Sequence, residues 1–203
     1  MKKFIIVGLV VALGLGALAV AGCGDTSQAK EYMEKGDELS RKMASLTDDA
    51  VFDAGALLAE LGIQISETGT VDKKTLTDAA SKQIDTIIAN GKKAVAEYEK
   101  ILDLKGVDAY KEYAEQRISA IESTIAVLEA VQELLDRIGD PQNTASIKDT
   151  VTEWAKSNIE VAVDAVKAYT SWSNAAKIKK ENNLGPAEEP EKVEETTPES
   201  APE

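Results

Sequence analysis

Few residues in this chain of 203 have the types and spacing for chemistry. There is no histidine, which removes the commonest general base and metal ligand together. The Glu-x-x-His pairs on which di-metal carboxylate sites in helical proteins depend are absent with it. Ser27 and Lys30 have the Ser-x-x-Lys spacing with which a lysine can activate a serine hydroxyl, but neither Ser-Asp-Asn nor Lys-Thr-Gly occurs to complete such a site. Asp48, Asp49 and Asp53 could offer carboxylates to Ca²⁺, yet their spacing departs from that of a calcium loop and they fall within a helical pattern. Glu188 and Glu189 are paired carboxylates in a segment that cannot hold a geometry. Asn158 is one polar group in an apolar helical seam, where such a residue acts as a ligand or, more commonly, sets register. The expectation is a non-catalytic protein with no metal-binding and no cofactor-binding residues.

The remaining reactive group is Cys23, the only cysteine. Lys2 and Lys3 make a basic start, and Phe4 to Val20 carries no charge, which is the length of a secretory apolar region and short for a membrane-spanning helix. Val20-Ala21-Gly22-Cys23 follows, with small residues where a processing peptidase must approach the backbone. This segment resembles the type II signal peptide and lipobox of bacterial lipoproteins. The resemblance covers residues 1–23 and implies cleavage before Cys23, acylation of that residue with palmitate-like chains, and attachment to the extracytoplasmic face of a bacterial membrane. One acyl chain holds a protein only marginally, whereas two or more make a stable anchor.

Composition narrows the partners. The chain has 23 basic and 36 acidic residues, and loss of Lys2 and Lys3 with the leader leaves a net charge of about −15, which argues against nucleic acid. With the leader gone, about 180 residues are enough for one domain with a real core, and no second cysteine exists to staple it.

Residues 23–29 read as the acylated cysteine and a short linker. From Lys30 to about Lys180 apolar residues recur every three or four positions, the period of an amphipathic helix. The first stripe is Tyr32, Gly36, Leu39, Met43, Leu46, Ala50, Ala54, Leu57, Leu61 and Ile65, with a break conceivable at Thr47-Asp48-Asp49. The second, opened by an Asp72 cap, runs from Leu76 to Ile101, with Gly106 as the left-handed position after it. The third follows an Asp108 cap from Tyr110 to Ile138 and stops at Gly139-Asp140-Pro141. Ser146 and Asp149 form a capping box ahead of the fourth, Ile147, Val151, Trp154, Asn158, Val161, Ala165, Tyr169, Trp172 and Ala176. Residues 184–203, rich in proline and glutamate, read as a disordered acidic tail.

Four long helices of similar length with short turns predict an all-α fold: an elongated up-down-up-down antiparallel four-helix bundle over residues 30–183, about 50 Å long. That topology gathers Tyr32, Tyr98, Tyr110, Tyr113, Tyr169 and Trp172, with Lys30, Lys35, Lys105, Lys111, Lys177, Lys179 and Lys180, toward the anchored end. There they make either an interfacial belt against headgroups or a packed aromatic end to the core with cations at helix C-termini. The functional expectation is a cell-envelope lipoprotein whose helical surface binds or scaffolds another envelope protein or a cell-wall component. One competing reading is an acidic inhibitor or immunity-type protein that captures a cationic enzyme or toxin. The other is an enzyme working with carboxylates alone, which requires a buried acidic pair.

Overall fold

A computed structural model describes residues 24–47, 73–140, 142, 143 and 145–185. Cys23, the stripe from Ala50 to Ile65, the Asp72 cap and the tail from Pro186 lie outside the described residues, as does the expected break beyond Thr47. The described residues contain helices and no strand. Helix α1 covers residues 24–47, α2 Lys73–Leu102, α3 Asp108–Gly139, α4 Ile147–Ser157 and α5 Glu160–Glu181.

Side-chain pairings fix the directions. Arg117 donates to Tyr98 and Gln132 to Asp85, so numbers rise along α3 as they fall along α2. Ser119 meets Ser171 and Gln116 meets Asn174, which sets α5 antiparallel to α3. Gly36 abuts Tyr98 and Gly91 abuts Met43, which sets α1 antiparallel to α2. Helices α2 and α5 pack on α3 but not on one another. The core between them is aliphatic and aromatic: Met33 and Met43 from α1, Ile87, Tyr98 and Ile101 from α2, Tyr113 and Ile121 from α3, and Ala175 and Ile178 from α5. Each large apolar side chain so buried contributes about 1.5–3 kcal/mol.

Three local expectations are corrected. The residues assigned to a linker are helical from Gly24, and Ala29 is fully buried. The backbone N–H of Lys105, in the α2–α3 turn, donates to Asp25 at 3.1 Å, so this first turn is tied to the fold. Asp108 does not cap α3; the N-cap is Val107, without a side-chain hydrogen bond, and Asp108 supplies negative charge in the first turn. The fourth helix is two helices. Asn158 leaves helical geometry at φ −123° and ψ 50°, and its Nδ2 donates to the Trp154 carbonyl at 2.9 Å. Asparagine competes with the helix for backbone partners, and here it ends α4 rather than setting a register within a continuous seam.

Other signals act as the residues suggest. Gly106 has φ +68°, within the turn after α2. Helix α3 stops at Gly139, and Asp140 ahead of proline is extended at ψ 117°. Ser146 Oγ accepts from the Asp149 N–H at 3.1 Å and donates to the Asp149 carboxylate at 2.7 Å. Ser146→Ala is therefore expected to cost about 1 kcal/mol, read as a small drop in the urea midpoint. At the far end of α5 the left-handed residue is Asn183, at φ 53°. The N–H of Leu184 reaches the Lys179 carbonyl and that of Asn183 the Lys180 carbonyl, a Schellman closure with Leu184 buried beneath it.

Candidate functional site

Four of the five helices contribute to one buried polar cluster centred on Asp37 of α1, a residue only 3% exposed. Its Oδ1 accepts from the hydroxyls of Tyr98 at 2.7 Å and Tyr113 at 2.6 Å. Its Oδ2 accepts from Lys179 Nζ of α5 at 2.7 Å. The Arg117 guanidinium of α3 lies 3.5 Å from Oδ1 and donates through Nε to the Tyr98 oxygen at 3.0 Å. Because the one Tyr98 proton goes to Asp37, the Ser40 hydroxyl 3.3 Å away is the donor of that contact. Arg117 is also stacked among rings, 4.0 Å from the centre of Trp172, 5.6 Å from Tyr113 and 5.9 Å from Tyr98.

The electrostatics follow from this crowding. Burial pushes Asp37 toward its neutral form, but the Arg117 charge and the hydrogen bonds from Lys179, Tyr113 and Tyr98 outweigh it, and the carboxyl is held below its ordinary value. Burial, opposed by Arg117 and reinforced by the Asp37 charge, raises Tyr98 well above the usual phenol range. Tyr113 moves the same way for the same first cause. At neutral pH the cluster is a carboxylate shared by two cations, with both phenols protonated and donating.

Both Asp37 oxygens are occupied, and the surrounding side chains are sealed from water. The arrangement can hold helices in register, because its polar groups are turned toward one another: Oδ1 takes two hydrogen bonds and Oδ2 one, all from buried side chains. Among the described residues Asp37 is the one buried acid, so the acidic pair required for carboxylate-only catalysis does not form there. The described residues also contain no group of three or more acidic or cysteine side chains placed to hold a metal.

The structure distributes the expected functional residues unequally. Ser27 and Lys30 are exposed on the first turns of α1, with Lys30 facing Glu34 at 3.8 Å. Of the aromatic group, Tyr98 and Tyr113 are fully buried in the cluster, while Tyr32, Tyr110 and Trp172 are partly buried against the core. Only Tyr169 projects, at 77% exposed. A belt made by the whole group is thereby replaced by a packed end to the core. The lysines divide as well: Lys179 is buried on Asp37, and Lys111 donates to the Leu102 carbonyl at 2.6 Å, closing the end of α2.

Asp37, Ser40, Arg117 and Lys179 were invisible to apolar periodicity because each is polar. The signal that could have found them is phase. Ala29, Met33, Gly36, Asp37, Ser40 and Met43 share the inward face of α1, and the tyrosines of α2 and α3 stand at the same level. The chain matches no family model, no curated protein and no solved structure.

Proposed function

We propose that this protein is a lipid-anchored cell-envelope module in which an up-down-up-down four-helix bundle, with α4 and α5 together forming its fourth arm, presents helical surface to another envelope component. The observation that carries this reading is the junction at the lipobox. Val20-Ala21-Gly22-Cys23 runs without an intervening spacer into a helix whose first turn is hydrogen-bonded to the fold. The antiparallel α1–α2, α2–α3 and α3–α5 pairings support the bundle topology, and the sealed Asp37 cluster supports a structural use of its polar groups. The surface favours scaffolding over charge-driven capture of a cationic enzyme. Among the described residues several exposed acids are paired with lysines one helical turn away, as in Glu31–Lys35, Lys74–Asp78 and Lys177–Glu181, which leaves less unpaired negative charge there for a cationic partner. Among the described residues no helix is long and apolar enough to cross a membrane.

The anchor is tested by expressing the full chain in a bacterial host and following it through membrane fractionation. The wild type is expected in the detergent-soluble membrane fraction, without residues 1–22 and with an acyl mass on Cys23, whereas Cys23→Ala is expected to carry no acyl mass and to keep its leader. A wild-type chain that keeps residues 1–22 or carries no acyl mass on Cys23 would refute the anchor.

A further inference from the structure

Helix α5 carries two stripes on opposite sides. The inner one, Val161, Asp164, Ala168, Ser171, Ala175 and Ile178, faces the other helices. The outer one, offset by two positions, is Ile159, Val163, Val166, Thr170, Ser173, Lys177 and Lys180, with Ala162, Tyr169 and Ala176 beside it. All of these outer residues are exposed, among them Ile159 at 76%, Val163 at 64%, Val166 at 66% and Tyr169 at 77%. The expected stripe through Ala165, Tyr169 and Ala176 therefore does not face the core; Asp164 and Ser171 hold inward positions instead.

The outer face has a second property. The chain carries 36 acids against 23 bases, yet from Ile159 to Lys180 this face contains no Asp or Glu. The two acids in that span are Glu160, at the edge, and Asp164, on the inner side. Apolar residues occupy one end of the face, Tyr169 its middle, and Lys177 and Lys180 the other end, where Lys177 pairs loosely with Glu181 at 3.9 Å. The lysine end is also the anchor end. Lys179 reaches Asp37 on α1, and a side chain on Gly185 would touch Met33.

We propose that the outer face of α5 is a docking site for an anionic lipid surface, and that it lays the bundle along the bilayer in which the Cys23 acyl chains are embedded. Apolar residues with an interfacial tyrosine and flanking lysines are the composition of a helix that lies in the headgroup boundary. An acid-free face avoids repulsion by the negative surface potential, whereas a cationic protein partner would select acids. Four large apolar side chains fall far short of the roughly 20–30 residues per side in a standard protein interface. They suffice for a surface already held close by a tether, because the second contact is then intramolecular in character. The inference rests on the anchoring of Cys23 proposed above.

The test uses the full chain purified from membranes and reconstituted in phosphatidylethanolamine–phosphatidylglycerol vesicles. With Cys23 acylated, a cysteine introduced by Thr170→Cys is the only free thiol and takes one fluorophore; two labels would show that the anchor itself had failed. A second variant, Ala96→Cys, reports from the exposed side of α2, which does not contact α5. Nitroxide-bearing lipids are expected to quench the label at 170 about threefold more than at 96. Val163→Glu with Val166→Glu is expected to erase that difference while leaving the protein vesicle-bound. Equal quenching at both sites, with one label per chain, overturns the docking face and leaves the anchor standing. A label at 170 that is shielded from water but not reached by lipid quencher, in a protein that sediments as a dimer, also overturns it and assigns the face to a second copy.

Discussion

Replacing Asp37 with alanine is expected to destabilise the protein by about 3–5 kcal/mol, enough to remove much of the stability of a domain this size. The cost does not come from the lost hydrogen bonds alone. Arg117 and Lys179 are 2% and 5% exposed, and the substitution takes away the carboxylate they share while leaving both charges buried. Tyr98 and Tyr113 lose the acceptor for their hydroxyl protons in the same step. Urea unfolding of the wild type and Asp37→Ala measures the effect, and a loss below about 1 kcal/mol would show that the cluster tolerates the deletion. The combined variant Asp37→Leu, Arg117→Met and Lys179→Met isolates the cause. Removing every charge together is expected to recover most of the loss, because an apolar replacement of a buried ionic group is often neutral or stabilising.

The same cluster makes stability depend on pH at both ends of the scale. Asp37 is held below its ordinary carboxyl value in the folded state, so it binds protons less readily there than in the unfolded chain. Its contribution is complete above the unfolded value near 4 and is lost as pH falls through the depressed folded value. Tyr98 and Tyr113 are raised, so their contribution is complete below the ordinary phenol value near 10 and is lost above it. Melting temperature is expected to stay flat from about pH 5 to pH 9 and to fall on both sides. In Tyr113→Phe the alkaline fall should become shallower while the acid fall remains.

Gly36→Ala is the second large effect, and its sign is a contest between two magnitudes. Glycine within a helix costs about 1 kcal/mol relative to alanine, so substitution in an exposed helix would stabilise. Here a Cβ would stand 2.6 Å from the Tyr98 ring, and that ring cannot yield because its hydroxyl is fixed to Asp37 and Arg117. Overpacking of this kind costs about 1–3 kcal/mol, and the phenol must either leave its partners or push α1 away. The expected result is a net loss of about 1–2 kcal/mol, read as a lower urea midpoint. Adding Tyr98→Ala tests the origin: with the ring gone, Gly36→Ala should become neutral or favourable.

The helical class was legible because core and solvent faces alternate strongly along α2 and α3, where Ile84, Ile87, Tyr98, Ile121 and Ile125 are buried as their spacing predicts. The Ser146 cap and the stop at Gly139 were legible for a local reason, since each depends on residues within a few positions. The cluster was not, because apolar periodicity assigns Asp37, Arg117 and Lys179 to solvent, and only their three-dimensional meeting makes burial tolerable. The break at Asn158 was hidden by a seam that reads as continuous across it. Tyr169 misled in the opposite direction, as an aromatic residue on a face turned away from the other helices. In α5 the apolar pattern and the inward face are different sets of residues.

The contact between Asp37 and Lys179 joins positions 142 apart in a chain of 203. Its closure has a meaning in time as well as in space. Contacts distant in sequence form only after the intervening chain is available, and they are reached late. Until Lys179 has emerged, Asp37 lacks one of its two cations and α1 lacks its partner on α5, whatever hairpin α2 and α3 have already made. A chain threaded across a membrane from its N-terminus would thus keep its ionic lock open until almost all of it had passed. The fold would close only once the crossing was nearly complete.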